Sequence, residues 1–277
     1  MPELPEVETA RRAAAAVAVG RRITRVSVAN DPIVFAGVSR RRIRRALLGR
    51  RVHAVRRHGK HFWLELDRRP WLSAHFGMTG SLSTSRQRAV RLMSSRGRDR
   101  SGWPPRFTKL RLTFDDGHEL AIADGRRLGR IRLRQDPSAE PPIVALGFDA
   151  LRGLPSPPRF RALARARGAP VKALLLDQSF AAGVGNWIAD EVLYQAGIAP
   201  RRSARSLSDA ELDRLRARLR SVVRTAVRVG AEGDRFPRSW LFHRRWDRRP
   251  GMTVRGEAIR WETIAGRTTA WVPAVQE

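Results

Sequence analysis

The stretch LLLDQSFAAGVGNWIADEVLYQAGIAP, residues 174–200, contains two helical segments joined by a glycine-rich turn. Helices are predicted over 170–177 and over 186–196. Gly183 and Gly185 between them permit positive φ and a close backbone approach, and the amides that begin the second helix can face a phosphate. The alternative is that GVGN is only a tight connection between two helices.

Outward from that stretch the helical pattern continues on both sides. A helix is predicted over 159–167, and a longer one over 208–229, where a capping box at Ser208 precedes apolar residues at helical spacing. The Pro-rich run LPSPP at 154–158 indicates a linker, so we place a domain boundary near residue 150.

Before the linker the pattern changes to short β-type runs separated by turn signals. Strands at this spacing predict an antiparallel sandwich or barrel. The runs are RITRVSVA (22–29), HFWLEL (61–66), WLSAHFGMTGSL (71–82), KLRLTF (109–114), HELAIA (118–123) and RIRL (130–133). A helix over 4–19 precedes them, and a mobile basic loop over 83–106 interrupts them. The segment 258–275 predicts a β-hairpin that turns at Ala265 and Gly266.

The charge of the chain predicts a polyanionic partner and excludes an ordinary metabolic enzyme surface. Its 55 Lys and Arg residues against 26 Asp and Glu give a formal charge of +29. Only three of the cations are lysines, which GC-rich coding explains, but that bias does not explain the twofold excess of cations over anions. Nucleic acid is favoured over a membrane, since no basic amphipathic anchor and no apolar run of about 20 residues is present.

The absence of cysteine removes disulfides, thiolate nucleophiles and zinc sites that depend on Cys. The six histidines are scattered, and His58 and His61, three apart, are expected on opposite faces of one strand. We therefore expect no metal and no cofactor. No targeting signal is visible, so we expect a cytoplasmic, nucleoid-associated protein if the source is bacterial. We also expect a monomer.

The N-terminus carries the first candidate chemistry. Removal of Met1 before a small residue would expose Pro2 as a secondary amine, a nucleophile that condenses with an aldehyde-level carbon to give a cationic iminium. Glu3 and Glu6 lie within one turn of it and could move protons. The alternative is that residues 2–8 are only a favourable helix start.

Other candidates are placed to contact a nucleic acid. Lys60, at the edge of a predicted strand, offers a compact positive charge for a phosphate. Arg267 at the hairpin turn could bind a phosphate through two of its N–H groups. Met78, Arg126 and Leu128 could wedge into the gap left by an extruded base if they lie on loops that face a basic groove. Each is otherwise an ordinary core or surface residue.

Six strings in order resemble the formamidopyrimidine-DNA glycosylase and endonuclease VIII family of base-excision repair enzymes. The likeness runs essentially end to end, and six ordered matches are far more specific than any one of them. The strings are MPELPEVETARR (1–12), RHGKHFWLEL (57–66), HFGMTGSL (75–82), DGRRLGR (124–130), residues 174–200 and GRTTAWVPAVQ (266–276).

The resemblance implies an α+β fold with DNA bound in the cleft between its first two domains. The parts are an N-terminal catalytic β-sandwich domain with a leading helix (1–135), a linker (136–157), a helix-two-turn-helix domain (158–235) and a C-terminal zincless-finger β-hairpin (236–277). Most relatives carry a four-cysteine zinc finger. The ligand positions here align with Ile259, Glu262, Val272 and Val275, so the hairpin resembles the zincless, plant-type branch, held by apolar packing that involves Trp261 and Trp271.

The resemblance also implies the chemistry. Pro2 attacks the anomeric carbon of a flipped damaged nucleotide and forms a Schiff base, Glu3 protonates the ring oxygen, and Glu6 assists proton transfers. Successive β and δ elimination then cut the strand on both sides of the lost nucleotide. The resemblance implies that Lys60, Asn186 and Arg267 bind the phosphates that flank the lesion and that His75 and Arg167 contact the DNA backbone. Met78, Arg126 and Leu128 fill the space that the extruded nucleotide leaves. The family usually has Phe at the position of Leu128.

The implied partner is damaged double-stranded DNA, and the expected lesions are formamidopyrimidines, hydantoins, oxidised pyrimidines and abasic sites. 8-Oxoguanine is left out of this expected set, because residues 230–251 depart from the loop that covers it in zinc-containing relatives. Three alternatives stay open: an endonuclease VIII-like preference for oxidised pyrimidines, a non-catalytic damage-recognition module, and a structural RNA binder.

Overall fold

The computed structural model describes residues 1–90, 102–246 and 253–277. The chain divides into two compact units, Met1–Ala145 and Leu146–Glu277, and the division falls inside the predicted linker at 136–157. No helix in the described ranges is both long and apolar enough to cross a membrane.

The first unit is an antiparallel β-sandwich with a leading helix. Its helices are α1 (Leu4–Ala18) and α2 (Arg40–Leu47). Its strands are β1 (Ile23–Val28), β2 (Val52–His58), β3 (His61–Leu66), β4 (Trp71–His75), β5 (Ser81–Thr84), β6 (Thr108–Phe114), β7 (Glu119–Ala123) and β8 (Arg130–Arg134). The two sheets have the strand orders β1-β6-β7-β5 and β2-β3-β4-β8.

One apolar core joins both sheets and α1. It contains Val7 and Val17 of the helix, Leu110 and Ile122 of one sheet, and Phe62 of the other, all almost fully buried. Alternate residues of the strands point to this core, and this alternation is the pattern from which the sequence predicts a sandwich. The predicted fold class is confirmed.

Three local expectations for this unit are wrong, and two of its elements were not predicted. Strand β2 and helix α2 were not predicted, because Arg and His at many of their exposed positions hide the apolar alternation. The run 71–82 is two strands in different sheets, and β5 takes in the first residues of the predicted loop 83–106, of which 91–101 lie outside the described residues. His58 and His61 are cross-strand partners at the end of a hairpin and do not share a strand.

The second unit is mainly helical. Its helices are α3 (Pro157–Arg165), α4 (Val171–Leu176), α5 (Asn186–Ala196) and α6 (Asp209–Arg228). Its short strands are β9 (Phe148–Asp149), β10 (Ala181–Ala182), β11 (Thr253–Val254), β12 (Glu257–Ala258), β13 (Arg260–Ile264) and β14 (Arg267–Trp271). The predicted capping box at Ser208 is present, with its hydroxyl accepting from the Glu211 amide at 3.3 Å.

Strands β13 and β14 form the predicted hairpin around Ala265 and Gly266. Ile259 and Val272, at two of the four positions that align with zinc ligands, are buried in an apolar cluster with Tyr194, and Trp261 packs against it. Glu262 instead forms an ion pair with Arg201, and Val275 is exposed. Trp271 lies outside this cluster, so of the two tryptophans only Trp261 packs there.

Candidate active site

The first acids of the chain are buried at the start of α1. Glu3 precedes the helix and is 2% exposed, and Glu6 in its first turn is 9% exposed. The backbone amide of Glu3 donates to Glu6 Oε2 at 3.0 Å, which fixes the Glu6 carboxyl beside the chain terminus. A carboxylate in the first helical turn is favoured by the helix dipole, yet few such acids are buried this deeply.

Burial, reinforced by the neighbouring Glu3 carboxylate, raises the pKa of Glu6 to about 7. A carboxyl group with that pKa holds or releases a proton at neutral pH with little change in free energy. This is the property required of a group that both donates and accepts protons during one reaction.

The N-terminal amine lies within electrostatic range of four predicted site residues. Burial lowers the pKa of the Met1 amine, Glu3 and Glu6 oppose that shift, and the charges of Arg126 and Lys60 add to it. Pro2 is buried directly behind it. The structure therefore brings Pro2, Glu3, Glu6, Lys60 and Arg126 together within the first unit.

A buried ion pair that the sequence did not predict anchors this cluster. Glu8 and Arg57 have side chains 1% and 0% exposed, and Arg57 Nε lies 3.0 Å from Glu8 Oε2. Arg57 Nη1 also donates to the carbonyl oxygen of Gly59 at 2.8 Å, in the turn that presents Lys60. The pair thus holds α1 and the β2–β3 turn in fixed relation. The sequence carried no local signal for it, because Arg57 lies among other basic residues in β2 (VHAVRRH).

The three predicted void-filling residues lie on two turns that Asp124 connects. The Asp124 carboxylate accepts hydrogen bonds from the Thr79 hydroxyl at 3.0 Å and the Gly129 amide at 2.6 Å. A Cβ at Gly77 would lie 2.4 Å from the Leu128 carbonyl oxygen, so only glycine permits this approach. Met78 and Leu128 remain 40% and 44% exposed. Apolar surface in water is unfavourable, and contact with a partner surface would remove that free-energy cost.

His75 ends β4 next to the Met78 turn. Its Nδ1 accepts a hydrogen bond from the Gly77 amide at 3.0 Å, so the ring is neutral with its proton on Nε2. Burial, together with the charges of Lys60, Arg132 and Arg130, lowers the pKa of His75 to about 4. A neutral ring with a free Nε2–H is a hydrogen-bond donor for an acceptor oxygen.

In the second unit the structure brings Asn186 and Arg267 close together. Asn186 begins α5, and its Nδ2 donates to the carbonyl oxygen of Thr268 at 2.8 Å, one residue from Arg267. The Arg267 side chain is exposed at the start of β14. Asn186 therefore serves as a tie between the GVGN turn and the hairpin.

A second unpredicted network lies beneath that tie. Asp190 of α5 forms buried ion pairs with Lys172 and Arg245, and also accepts from the Ala270 amide at 3.2 Å. Lys172 donates in turn to the carbonyl oxygen of Asn186 at 3.0 Å. Asp190 thus joins α4, α5 and the hairpin where the sequence had suggested apolar packing alone.

Arg167, the remaining predicted contact, is held by a different loop. Its Nε lies 3.5 Å from Asp177 Oδ2, its Nη2 donates to Ser179 at 3.3 Å, and its guanidinium lies over the Phe180 ring. The structure thus places it against residues 177–180.

Two domain families match this chain. The formamidopyrimidine-DNA glycosylase N-terminal domain matches residues 1–131, and the H2TH domain of the same enzyme matches residues 146–237. The formamidopyrimidine-DNA glycosylase of Arabidopsis thaliana is 41% identical over an alignment that covers 100% of this chain and 71% of that protein. The chain belongs to the formamidopyrimidine-DNA glycosylase family. It is accordingly a DNA glycosylase of base-excision repair.

Other members of the formamidopyrimidine-DNA glycosylase family align over the whole chain. The enzyme of Heliobacterium modesticaldum is 34% identical over 100% of both chains. The crystal structure of the Thermus thermophilus protein superimposes with a TM-score of 0.76 at 33% identity, covering 99% of this chain and 98% of that one. A Lactococcus lactis structure, bound to DNA with an abasic site, has a TM-score of 0.81 and 99% coverage of both chains at 23% identity, which supports the fold.

Proposed function

We propose that this protein is a bifunctional DNA glycosylase and abasic-site lyase that acts through a Schiff base at Pro2. The observation that carries the proposal is the pair of buried acids, Glu3 and Glu6, beside a partly buried N-terminal amine. Desolvation lowers the pKa of the Met1 amine. Removal of Met1 would expose the secondary amine of Pro2, the proposed nucleophile, beside the same acids. An ordinary helix start would leave its acids in water.

The nucleophile requires removal of Met1, after which the nitrogen of Pro2 becomes a secondary amine. Its lone pair attacks the anomeric carbon of the damaged nucleotide, and the glycosidic bond breaks with its electrons leaving on the base. The proton that the Pro2 nitrogen loses neutralises the departing base. Glu3, 2% exposed and one residue away, supplies the proton that opens the sugar ring at its oxygen. The product is a cationic iminium between Pro2 and the opened sugar.

The elimination steps require a group that takes and returns protons. The iminium acidifies the adjacent sugar carbon, whose proton is lost as the bond to the 3′ phosphate oxygen breaks. A second elimination releases the 5′ phosphate in the same way. Glu6, with its pKa raised to about 7 and its carboxyl fixed by the Glu3 amide, is suited to these transfers.

Damaged double-stranded DNA is the proposed partner, as the net charge of +29 requires a polyanion. Lys60 and Arg267 would hold phosphates beside the lesion, with Asn186 positioning the Arg267 hairpin and His75 donating from Nε2. Arg167 would contact the backbone once it leaves Asp177. Met78, Arg126 and Leu128 would fill the space of the extruded nucleotide.

The proposed lesions are formamidopyrimidines, hydantoins, oxidised pyrimidines and abasic sites. Formamidopyrimidine lesions are supported by the names of the relatives. Leu128 offers less stacking surface than an aromatic side chain, so we expect a weak preference for the opposite base.

Borohydride trapping tests the nucleophile. Untagged protein is reduced on an abasic-site duplex, and the cross-linked peptide is mapped by mass spectrometry. We expect one adduct at Pro2 in protein that lacks Met1, and none in Pro2→Gly. An Arg41→Gln variant, which changes an exposed residue of α2, serves as the control and should trap normally.

Two results would contradict the proposal. An adduct mapped to a lysine, such as Lys60, would assign the Schiff base elsewhere. Absence of any adduct in protein shown to lack Met1, with tight binding to the same duplex retained, would favour a damage-recognition module over a lyase.

A further inference from the structure

A second concave site lies on the first unit, on the sheet face that points away from the apolar core. Cross-strand pairing aligns Arg130 with His75 and Arg132 with Ser73, and His61 lies beyond His75 on β3. Their neighbours in sequence, Phe62, Ala74 and Ile131, point into the core. Residues 137–143 close one side, so the face becomes a pocket. The polar side chains that line the pocket are His61, Ser73, His75, Arg130, Arg132 and Arg134.

The pocket holds more positive charge than its own acids balance. Arg134 is paired with Glu140 at 3.0 Å, and Arg130 donates to the carbonyl oxygens of Arg127 and Gly129. Within the described parts of the chain, the Arg132 guanidinium has no carboxylate and no hydrogen-bond acceptor in contact. Burial and the charges of Arg134 and Arg130 lower the pKa of Arg132. An unpaired, partly buried cation between two others is unfavourable, and an anion would remove that cost.

The uncharged groups of the pocket can donate to the same anion. The rings of His61 and His75 lie 4.6 Å apart. His61 is the imidazole donor of the pocket, and His75, whose Nε2 proton is assigned above to the DNA at the lesion, borders it. Burial, the neighbouring His75 and Arg132 lower the pKa of His61 to about 3, so both rings are neutral at physiological pH. Ser73 adds a hydroxyl, and it is 8% exposed. Guanidinium, imidazole and hydroxyl donors with no free carboxylate match an acceptor-only ligand.

We propose that Arg132, Arg130, Ser73 and His61 form a phosphate-binding pocket. The phosphate is either a backbone group of the DNA strand beyond those held at the lesion or a free phosphate. Lys60 lowers the pKa of both His61 and His75, so the pocket continues the line of positive charge that begins at the N-terminal amine. Binding of a DNA phosphate here rests on the proposed function, whereas binding of free phosphate does not.

The test compares Arg132→Gln with Arg41→Gln, which removes the same charge from an exposed position on α2. Inorganic phosphate and pyrophosphate are titrated at constant ionic strength against chloride, and the histidine side-chain resonances are followed by NMR. Wild type and Arg41→Gln should show saturable shifts of His61 and His75, and Arg132→Gln should show none. Arg132→Lys keeps the charge but loses the forked donors, so it should bind at least tenfold more weakly than wild type.

The second measurement uses an abasic-analogue duplex at several salt concentrations. If a DNA phosphate occupies the pocket, Arg132→Gln should lose about tenfold in affinity, and its log-log salt slope should fall by roughly 0.9 relative to Arg41→Gln. Saturable phosphate binding with an unchanged duplex affinity would assign the pocket to free phosphate.

Borohydride trapping at saturating duplex separates this proposal from the catalytic one. Trapping should be unchanged in Arg132→Gln, because the substitution leaves the N-terminal amine and its acids intact. Loss of trapping in every variant would refute the lyase but leave the phosphate titration valid. If Arg132→Gln matches Arg41→Gln in both phosphate titration and duplex affinity, and melts at the same temperature, the pocket is not a phosphate site.

Discussion

The side-chain amide of Asn186 donates to the carbonyl oxygen of Thr268 at 2.8 Å, which ties the first residue of α5 to the hairpin strand that begins with Arg267. Family resemblance alone makes Asn186 a direct phosphate contact. Its hydrogen bond to Thr268 also makes it a positioning residue for Arg267, because loss of that bond would free one end of the hairpin.

The first prediction concerns that tie. Asn186→Ala should weaken binding to an abasic-analogue duplex through Arg267, so the double variant with Arg267→Ala should bind little worse than Arg267→Ala alone. A double-mutant cycle should give a coupling energy of about 0.5–3 kcal/mol. Additive losses in Kd would instead indicate two independent phosphate contacts.

The second prediction follows from the pKa of Glu6, which burial and Glu3 raise to about 7. The folded protein binds this proton more tightly than the unfolded chain, so the contribution of Glu6 to stability is full below about pH 4.5 and is lost as the pH rises through 7. Glu6→Gln should remove that loss, and its free energy of unfolding should exceed the wild-type value at pH 8 by about 1–3 kcal/mol. Urea titrations at pH 5 and pH 8 measure the difference.

The same substitution should impair catalysis, since a glutamine amide cannot exchange the proton. The pH profile of strand cleavage should lose its inflection near pH 7 in Glu6→Gln. Glu65→Gln, which alters an exposed ion pair with Arg56, is the matched control and should keep the inflection. An unchanged profile in Glu6→Gln would remove Glu6 from the proton transfers.

The third prediction concerns Glu8, whose behaviour is the opposite of that of Glu6. Burial alone would raise the pKa of Glu8, but hydrogen bonds from Arg11 and Arg57 lower it to about 2. Its stabilising contribution is therefore present above about pH 4.5 and is lost as the pH falls towards 2. Glu8→Gln leaves Arg57 buried without its carboxylate and should cost about 3–5 kcal/mol at pH 7.

Denaturant unfolding of Glu8→Gln and of a Glu8→Leu, Arg57→Met double variant checks the cause. The double variant removes both charges and should recover much of the stability that Glu8→Gln loses. If it is as unstable as the single variant, the loss arises from packing and not from the unpaired guanidinium.

The sequence predicted the elements of this fold better than the contacts that hold its site. The capping box at Ser208 and the turn at Ala265 and Gly266 are local signals, so residue identity alone located them. In an arginine-rich chain, nothing in the sequence distinguishes Arg57 and Lys172 from cations on the surface. Each is buried against a carboxylate distant in sequence, Glu8 and Asp190, and such pairing depends on tertiary packing that no local pattern encodes.

The last prediction concerns Asp190 of α5, which joins α4 and α5 to the hairpin of β13 and β14. Its carboxylate is fully buried, faces two cations, Lys172 and Arg245, and accepts from the Ala270 amide. Asp190→Asn should remove the negative charge that both cations face and so destabilise the second unit by about 3–5 kcal/mol. Asp213→Asn, which alters a partly exposed pair with Arg161, should cost less than about 1 kcal/mol. Urea unfolding followed by tryptophan fluorescence measures both variants, since five of the eight tryptophans lie in the second unit. Equal losses in the two would mean that apolar packing around Ile259 and Val272 holds the hairpin without help from Asp190.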